Sequence, residues 1–179
     1  EKYRAKRYSD IIGQDKAIAE IESFLREFPR GKKAILLHGP PGTGKTSLAI
    51  ASANEHNLEV FELNASDLRN RAKLEEVLKP ASKHAGLYKE KKILLMDEVD
   101  GITGTDIGGV SELIRILELT AHPIILTGND IWQTKFAQLR PKCKLVEMKS
   151  LSTEEIAGFL KKITDKESVK ENEHFLRQI

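Results

Sequence analysis

The stretch Ala34-Ile-Leu-Leu-His-Gly-Pro-Pro-Gly-Thr-Gly-Lys-Thr46 decides the fold. It opens as a short apolar run and breaks into a loop rich in Gly and Pro. It ends on Lys45-Thr46, from which a helix-period segment runs to His56. A short apolar run closed by Gly and charge suits a strand buried on both faces. Residues 39–46 match the pattern GxxxxGK[ST], in the strand–loop–helix setting the pattern requires. Gly39, Gly42 and Gly44 let the backbone curl, so that successive N–H groups aim inward at phosphate oxygens. The start of the following helix adds partial positive charge. Lys45 is expected to reach the β- and γ-phosphates of a nucleotide, and the Thr46 hydroxyl to ligate Mg2+. Pro40, Pro41, Thr43 and Ser47 belong to the same cradle. A glycine-rich turn without function is the bland alternative, and Lys-Thr in this context speaks against it.

Outward along the chain, Ile93-Leu-Leu-Met-Asp-Glu-Val-Asp100 supplies the second half of a site. An apolar strand ends in Asp97, which falls at the carboxyl edge of a parallel sheet, where open α/β sheets bind ligands. Asp97 is placed to hold Mg2+. Glu98 can polarise a water attacking the γ-phosphate, or be a solvated loop acid. Asp100 is as readily a loop acid as a functional one. A third run, Ile124 to Thr127, ends in Gly128-Asn129-Asp130. If that strand neighbours the one ending in Asp97, the Asn129 amide lies beside the γ-phosphate, to hold the water or sense the phosphate's loss. Gly-Asn-Asp is also a good turn, so this reading leans on the two motifs before it.

The rest of the pattern fits one α/β domain. Helix-period segments at 11–28, 45–56, 71–84 and 110–121 alternate with the strand runs. Alternation of this kind predicts a parallel sheet flanked by helices on both faces. Leu58–Leu63 and Lys144–Met148 alternate more and are expected nearer the sheet edges. After Met148 the pattern changes. Ser152 with Glu155 forms a capping box, opening an amphipathic helix through Ile163. Residues 1–149 are therefore read as an α/β nucleotide-binding domain, and 150–179 as the start of a helical unit.

Composition agrees. Of 179 residues, 40% are hydrophobic and 31% charged, which excludes a disordered or membrane-embedded chain. A domain of about 150 residues buries about 70% of its unfolded surface, so the chain supports one full core and not two large ones. No apolar run nears the roughly 20 residues of a membrane span, and the charged start carries no secretory h-region. The chain lacks an initiator Met, as a trimmed one would. The single Cys143 excludes an internal disulfide and fits a reducing, intracellular compartment. The net charge of +2 excludes a polybasic or acidic tail as the main content. Charge is nonetheless uneven. Arg69–Lys92 holds eight basic and three acidic residues, whereas Ile93–Asp130 holds one Arg and seven acids. The basic stretch is either a solvated helix face or a surface tracking nucleic-acid phosphates.

Together these residues resemble the AAA+ ATPases, and specifically clamp-loader subunits of the replication factor C type. The likeness extends over nearly the whole chain. Glu1-Lys-Tyr-Arg-Ala-Lys6 with Asp10-Ile-Ile-Gly-Gln14 is similar to the family's opening, with Ala5 where proline is usual. Glu62-Leu-Asn-Ala-Ser-Asp67 and Val99-Asp-Gly101 resemble stretches that follow its second strand and its metal-binding strand. The resemblance implies ATP and Mg2+ as ligands, with residues 39–46 as Walker A and 93–98 as Walker B. It implies that Tyr3, Arg4, Ile11 and Ile12 border the adenine, that Asn129 is the sensor-1 residue, and that residue 150 onward begins the helical lid. A sensor-2 arginine and an oligomerising collar would lie beyond Ile179.

The family's small subunits carry Ser-Arg-Cys before the last strand, and that arginine completes a neighbour's ATP site. Here the stretch is Pro141-Lys142-Cys143, and Lys lacks the planar fork of Arg. A subunit that donates no finger resembles the large subunit, as does Gly108-Gly-Val-Ser-Glu-Leu-Ile-Arg-Ile-Leu117. The partners implied are replication factor C small subunits in a hetero-pentamer, a sliding clamp of the proliferating cell nuclear antigen type, and primer-template DNA. The setting is cytoplasmic in an archaeon or nuclear in a eukaryote, without a membrane. Val110, Leu113, Ile114 and Leu117 are candidates for clamp contact, against the alternative of an amphipathic helix packed on the sheet. Two other functions compete: a different AAA+ motor, such as a helicase loader or protein-remodelling ATPase, and a non-hydrolysing subunit that uses nucleotide as an assembly clip. Trp132 is expected as a packed cap of a loop, and Cys143 as a small buried hydrophobe. The five histidines show no metal-ligand spacing.

Overall fold

A computed structural model describes residues 3–63, 91–102 and 109–168. Five strands lie in one parallel sheet: β1 Ala34–His38, β2 Glu59–Leu63, β3 Lys92–Met96, β4 Ile124–Gly128 and β5 Cys143–Glu147. Their order across the sheet is β2-β3-β4-β1-β5. The two strands that alternate in sequence are the two edges, as expected. The central strands read as unbroken apolar runs because both sheet faces are covered.

On one face Leu36, Leu94, Met96 and Leu126 pack with Leu113, Ile116 and Leu117 of helix α3, Gly109–Leu119. On the other, Ile35, Leu37, Ile93, Leu95 and Ile125 meet helix α1, Asp15–Glu27, and helix α2, Lys45–Glu55. Ala17, Ile21 and Phe24 of α1 are buried at helical spacing, which makes this helix amphipathic. Each Leu or Ile so buried contributes about 1.5–3 kcal/mol before entropy is counted.

Helix α1 begins four residues later than its pattern suggests. A 3-10 turn at Tyr8–Asp10 precedes it, and Gly13 follows with φ +65°. A Cβ at Gly13 would come within 2.5 Å of a Glu155 carboxylate oxygen, so the chain runs close to the last helix here, and the left-handed backbone favours glycine. That helix, α4, spans Thr153–Lys166. The Ser152 Oγ accepts the Glu155 N–H at 3.2 Å, and the Glu155 carboxylate accepts the Ser152 N–H at 2.7 Å. The capping box therefore forms as its spacing predicts.

Register explains the site. β1 pairs with β4 from Ala34↔Ile124 to His38↔Gly128, and β3 pairs with β4 from Leu94↔Ile124 to Met96↔Leu126. The loop after β1, Asp97 after β3 and Asn129 after β4 are thus carried to one end of three adjacent strands. The predicted helix at 71–84, the basic stretch up to residue 90, residues 64–67 and the chain after 168 lie outside the described residues. Among the described residues no helix is long and apolar enough to cross a membrane.

Candidate functional site

The loop after β1 turns by left-handed backbone at each of its glycines, with φ +149° at Gly39, +79° at Gly42 and +89° at Gly44. Gly44 caps the start of α2, and Lys45 is the first residue of that helix. Gly39 is also fixed by space, because a Cβ there would overlap the Met148 carbonyl oxygen. The loop is anchored from outside by Gln14, a buried residue whose amide nitrogen donates to the Thr43 carbonyl at 3.4 Å and the Lys149 carbonyl at 2.7 Å. Thr43, nearly buried, turns its hydroxyl back to the Pro40 carbonyl at 3.0 Å.

An open cleft of about 310 Å³ lies over this loop. Pro41, Gly42, Gly44, Lys45, Thr46 and Ser47 line it on one side, and Asp97, Glu98, Thr127, Gly128 and Asn129 on the other. The Lys45 ammonium is folded inward, donating at 2.8 Å to the carbonyls of Gly39 and Pro40 and to Asn129 Oδ1. Burial lowers the Lys45 pKa, and the carboxylates of Asp100, Asp97 and Glu98 oppose that shift. The cleft therefore presents a cation whose hydrogen-bond partners among the described residues are neutral oxygens, ready to be exchanged for an anion.

The Thr46 hydroxyl donates toward both Asp97 oxygens, at 2.9 and 3.0 Å. Thr127, buried in β4, donates its hydroxyl to Asp97 Oδ1 and accepts the Glu98 N–H at 2.9 Å. One buried hydroxyl thus holds the Asp97 carboxylate and the Glu98 backbone. Glu98 has φ +52°, an uncommon conformation for a residue with a side chain, and leaves its carboxylate exposed. Two oxygen-bearing side chains in contact, Thr46 and Asp97, form the hard-donor set that suits Mg2+, so the residues present fit that ion. Asp100 holds Asn129: Oδ1 accepts its backbone N–H at 3.2 Å and Oδ2 its side-chain NH2 at 3.1 Å.

Tyr3, Arg4 and Ile12 line a second cleft, of about 270 Å³, between the amino-terminal arm and Phe159, Lys162, Ile163 and Lys166 of α4. The Tyr3 hydroxyl donates to the Glu167 carboxylate across it. Ile11 does not line this cleft and packs against the core shared by α1 and α2. Lys142 is engaged by Glu118 at 2.6 Å. Arg140 donates to the carbonyls of Ile131 and Gln133, at 2.8 and 3.2 Å, within its own chain.

One expectation is corrected. Trp132 is not a packed cap: it is 64% exposed, with His38 edge-on to it and the Arg140 guanidinium over its ring. The α3 segment divides. Leu113 and Leu117 are buried in the core and unavailable to a clamp, whereas Val110 and Ile114 are half-buried. Cys143 is fully buried, and desolvation pushes its thiol up to about 12, as suits a packing residue.

Residues 35–150 match the family described as "ATPase family associated with various cellular activities (AAA)", which covers well over half of the chain. The chain belongs to the AAA ATPase family. This AAA ATPase chain is 42% identical to the replication factor C large subunit of Staphylothermus marinus, over 99% of its own length and 43% of that protein's. The large subunits of Methanococcus aeolicus and Aeropyrum pernix are each 39% identical, over 100% and 99% of the chain and 38% of theirs. The AAA ATPase chain thus spans about two-fifths of the length of the curated relatives it matches. Its likeness to replication factor C, and to the large subunit in particular, is as its motifs imply. A crystal structure of a DNA replication initiation factor superposes with TM-score 0.70 at 18% identity, over 94% of this chain and 56% of the other, and shows the same fold.

Proposed function

We propose that this chain is the nucleotide-binding part of a clamp-loader large subunit that binds and hydrolyses ATP. One observation carries the reading: Lys45, Thr46, Asp97, Glu98 and Asn129, from three separate segments, converge on one cleft. Residues 1–149 form the nucleotide-binding domain, and residues from 150 begin a lid. Tyr3, Arg4 and Ile12 border the base in the cleft beside α4.

The chemistry follows from the placement of each group. The glycine loop presents backbone N–H donors to the phosphates. Lys45 leaves its three neutral acceptors for the β- and γ-phosphate oxygens. Thr46 and Asp97 hold Mg2+, which when bound neutralises charge developing on the phosphate oxygens. Glu98 accepts the proton of the attacking water, and Asn129 assists at the γ-phosphate end. Hydrolysis of this kind is mostly positioning and charge stabilisation, completed by an arginine from a neighbouring subunit. Loss of such a finger costs about 10³–10⁵ in rate in GTPases, so this chain alone is expected to bind ATP and turn it over poorly. With Lys142 and Arg140 engaged in their own chain, the subunit receives a finger and donates none.

In this reading ATP binding orders a pentamer with small subunits, which holds an opened sliding clamp while primer-template DNA enters, and hydrolysis releases the closed ring. Of the four α3 candidates, Val110 and Ile114 are left to meet the clamp. Work on DNA places the protein inside the cell, in the cytoplasm if the source is archaeal. ATPase activity of the full-length protein in its assembly, with and without clamp and primed DNA, tests the proposal. Stimulation by clamp and DNA together is expected. Stimulation by a protein substrate alone would favour a remodelling motor instead.

A further inference from the structure

Asp100 has no part in the steps above, yet both of its oxygens are committed to a residue that has. Oδ1 accepts the Asn129 backbone N–H at 3.2 Å and Oδ2 accepts the Asn129 side-chain NH2 at 3.1 Å. On its other side the Asn129 amide oxygen accepts from Lys45 at 2.8 Å. A lysine ammonium only donates and a carboxylate only accepts, so the amide has one orientation between them. Its NH2 faces the turn after β3, and its oxygen faces the phosphate cleft. The turn itself is held. The Lys135 ammonium donates to the carbonyls of Asp100 at 3.0 Å and Ile102 at 2.6 Å. At Gly128 a Cβ would come within 3.3 Å of Asp100 Oδ1, so the strand end also admits the carboxylate closely.

We propose that Asp100 is a positioning residue that holds Asn129 with its side-chain oxygen turned into the cleft, so that Asn129 meets the attacking water as an acceptor and not the phosphate as a donor. This rests on the ATPase reading of the site. Phosphate oxygens are acceptors and are repelled by an amide oxygen, whereas water has two protons to donate. When Lys45 shifts to the triphosphate, the Asn129 oxygen is released to accept a hydrogen bond from one O–H of the water, which stays intact, while Glu98 takes the proton of the other. The oxygen lone pair of the water is then left for phosphorus. Without the carboxylate the amide is free to rotate, and its NH2 can turn to the phosphate instead. Asp100 therefore affects the rate of the chemical step and leaves nucleotide affinity alone.

The test is a double-variant cycle in the full-length protein, assembled with its natural neighbours, reading kcat, KM and ATP affinity. Asp100→Ala is expected to lower kcat about tenfold and to leave KM and affinity within about twofold, a loss confined to the transition state. Asn129→Ala should do the same, and the double variant should fall no further than Asn129→Ala. Asp100→Asn keeps the volume of the turn but turns a donor toward one of the two Asn129 donors. It should also lower kcat, and it carries the test if the alanine variant fails to fold. Wild-type kcat in both Asp100 variants, losses that multiply in the double variant, or a loss confined to ATP affinity would each overturn the proposal. An assembly whose wild type hydrolyses no ATP would instead overturn the ATPase reading on which it rests.

Discussion

Thr46 and Asp97, 51 residues apart, touch through their side chains, with the hydroxyl 2.9 and 3.0 Å from the two carboxylate oxygens. The contact joins the first turn of α2 to the end of β3. Both groups offer hard oxygen donors, so together they would hold a divalent ion, Asp97 through the ion's water shell. Asp97→Ala is expected to bind ATP in EDTA as the wild type does and to lose the extra affinity that Mg2+ confers. Titration of nucleotide with and without the ion checks this. Equal Mg2+ dependence in the variant would count against Asp97 as a ligand.

Glu98 combines an exposed carboxylate with a backbone at φ +52°. Glu98→Gln keeps shape and removes the base, so turnover in the assembly should fall about 10²–10⁴-fold with ATP affinity retained. Glu98→Gly should also abolish turnover while raising stability by about 1 kcal/mol, since glycine adopts this conformation without steric cost. Urea unfolding beside an ATPase assay reads both effects.

Gly39 and Gly42 are both left-handed but are constrained differently. At Gly39 an added methyl would collide with the Met148 backbone carbonyl, whereas at Gly42 nothing lies within 4 Å. Gly42→Ala should cost only about 1–2 kcal/mol of backbone strain. Gly39→Ala should cost more and displace the strand end, with ATP binding lost. Thermal unfolding of the two variants, with and without nucleotide, separates the cases.

His38, at the end of β1, has its pKa lowered chiefly by burial, which the Glu147 carboxylate opposes and the Lys45 ammonium, the smallest cause, reinforces. The unfolded chain therefore takes up a proton at higher pH than the folded one. Stability is unaffected by this group well above its ordinary value of 6.5 and falls as pH drops through that value toward the lowered folded one. His122, also lowered mainly by burial, acts in the same direction. Urea midpoints should decline from neutral to mildly acidic pH, and His38→Asn should make the decline shallower.

Much of this site is legible in the sequence because its parts are short, local motifs. The cradle and the acid pair after β3 announce themselves, Asn129 after β4 is read only in their light, and a parallel sheet has one edge at which to bring them together. Thr127 is hidden for the opposite reason. It sits inside an apolar run and reads as strand, and its role as the hydroxyl between Asp97 and Glu98 exists only once β3 and β4 pair. Gln14 is likewise a long-range brace, bonded to Lys149, with no local signal. Trp132 misleads because an aromatic after a strand usually packs, whereas here Arg140 and His38 hold it at the surface. The late start of α1 follows a 3-10 turn at Tyr8–Asp10 and a left-handed Gly13, which the apolar periodicity of the segment does not encode.

The central claim is that the cleft over Gly39–Thr46 takes a nucleoside triphosphate through Lys45. Calorimetric titration of the full-length protein with ATP and Mg2+, beside Lys45→Met, tests it most directly. The account predicts one nucleotide site per chain, weakened at least about tenfold (1.4 kcal/mol) in the variant, with the fold intact. Failure of the wild type to bind ATP at millimolar concentration, alone and with its neighbouring subunits, would contradict it.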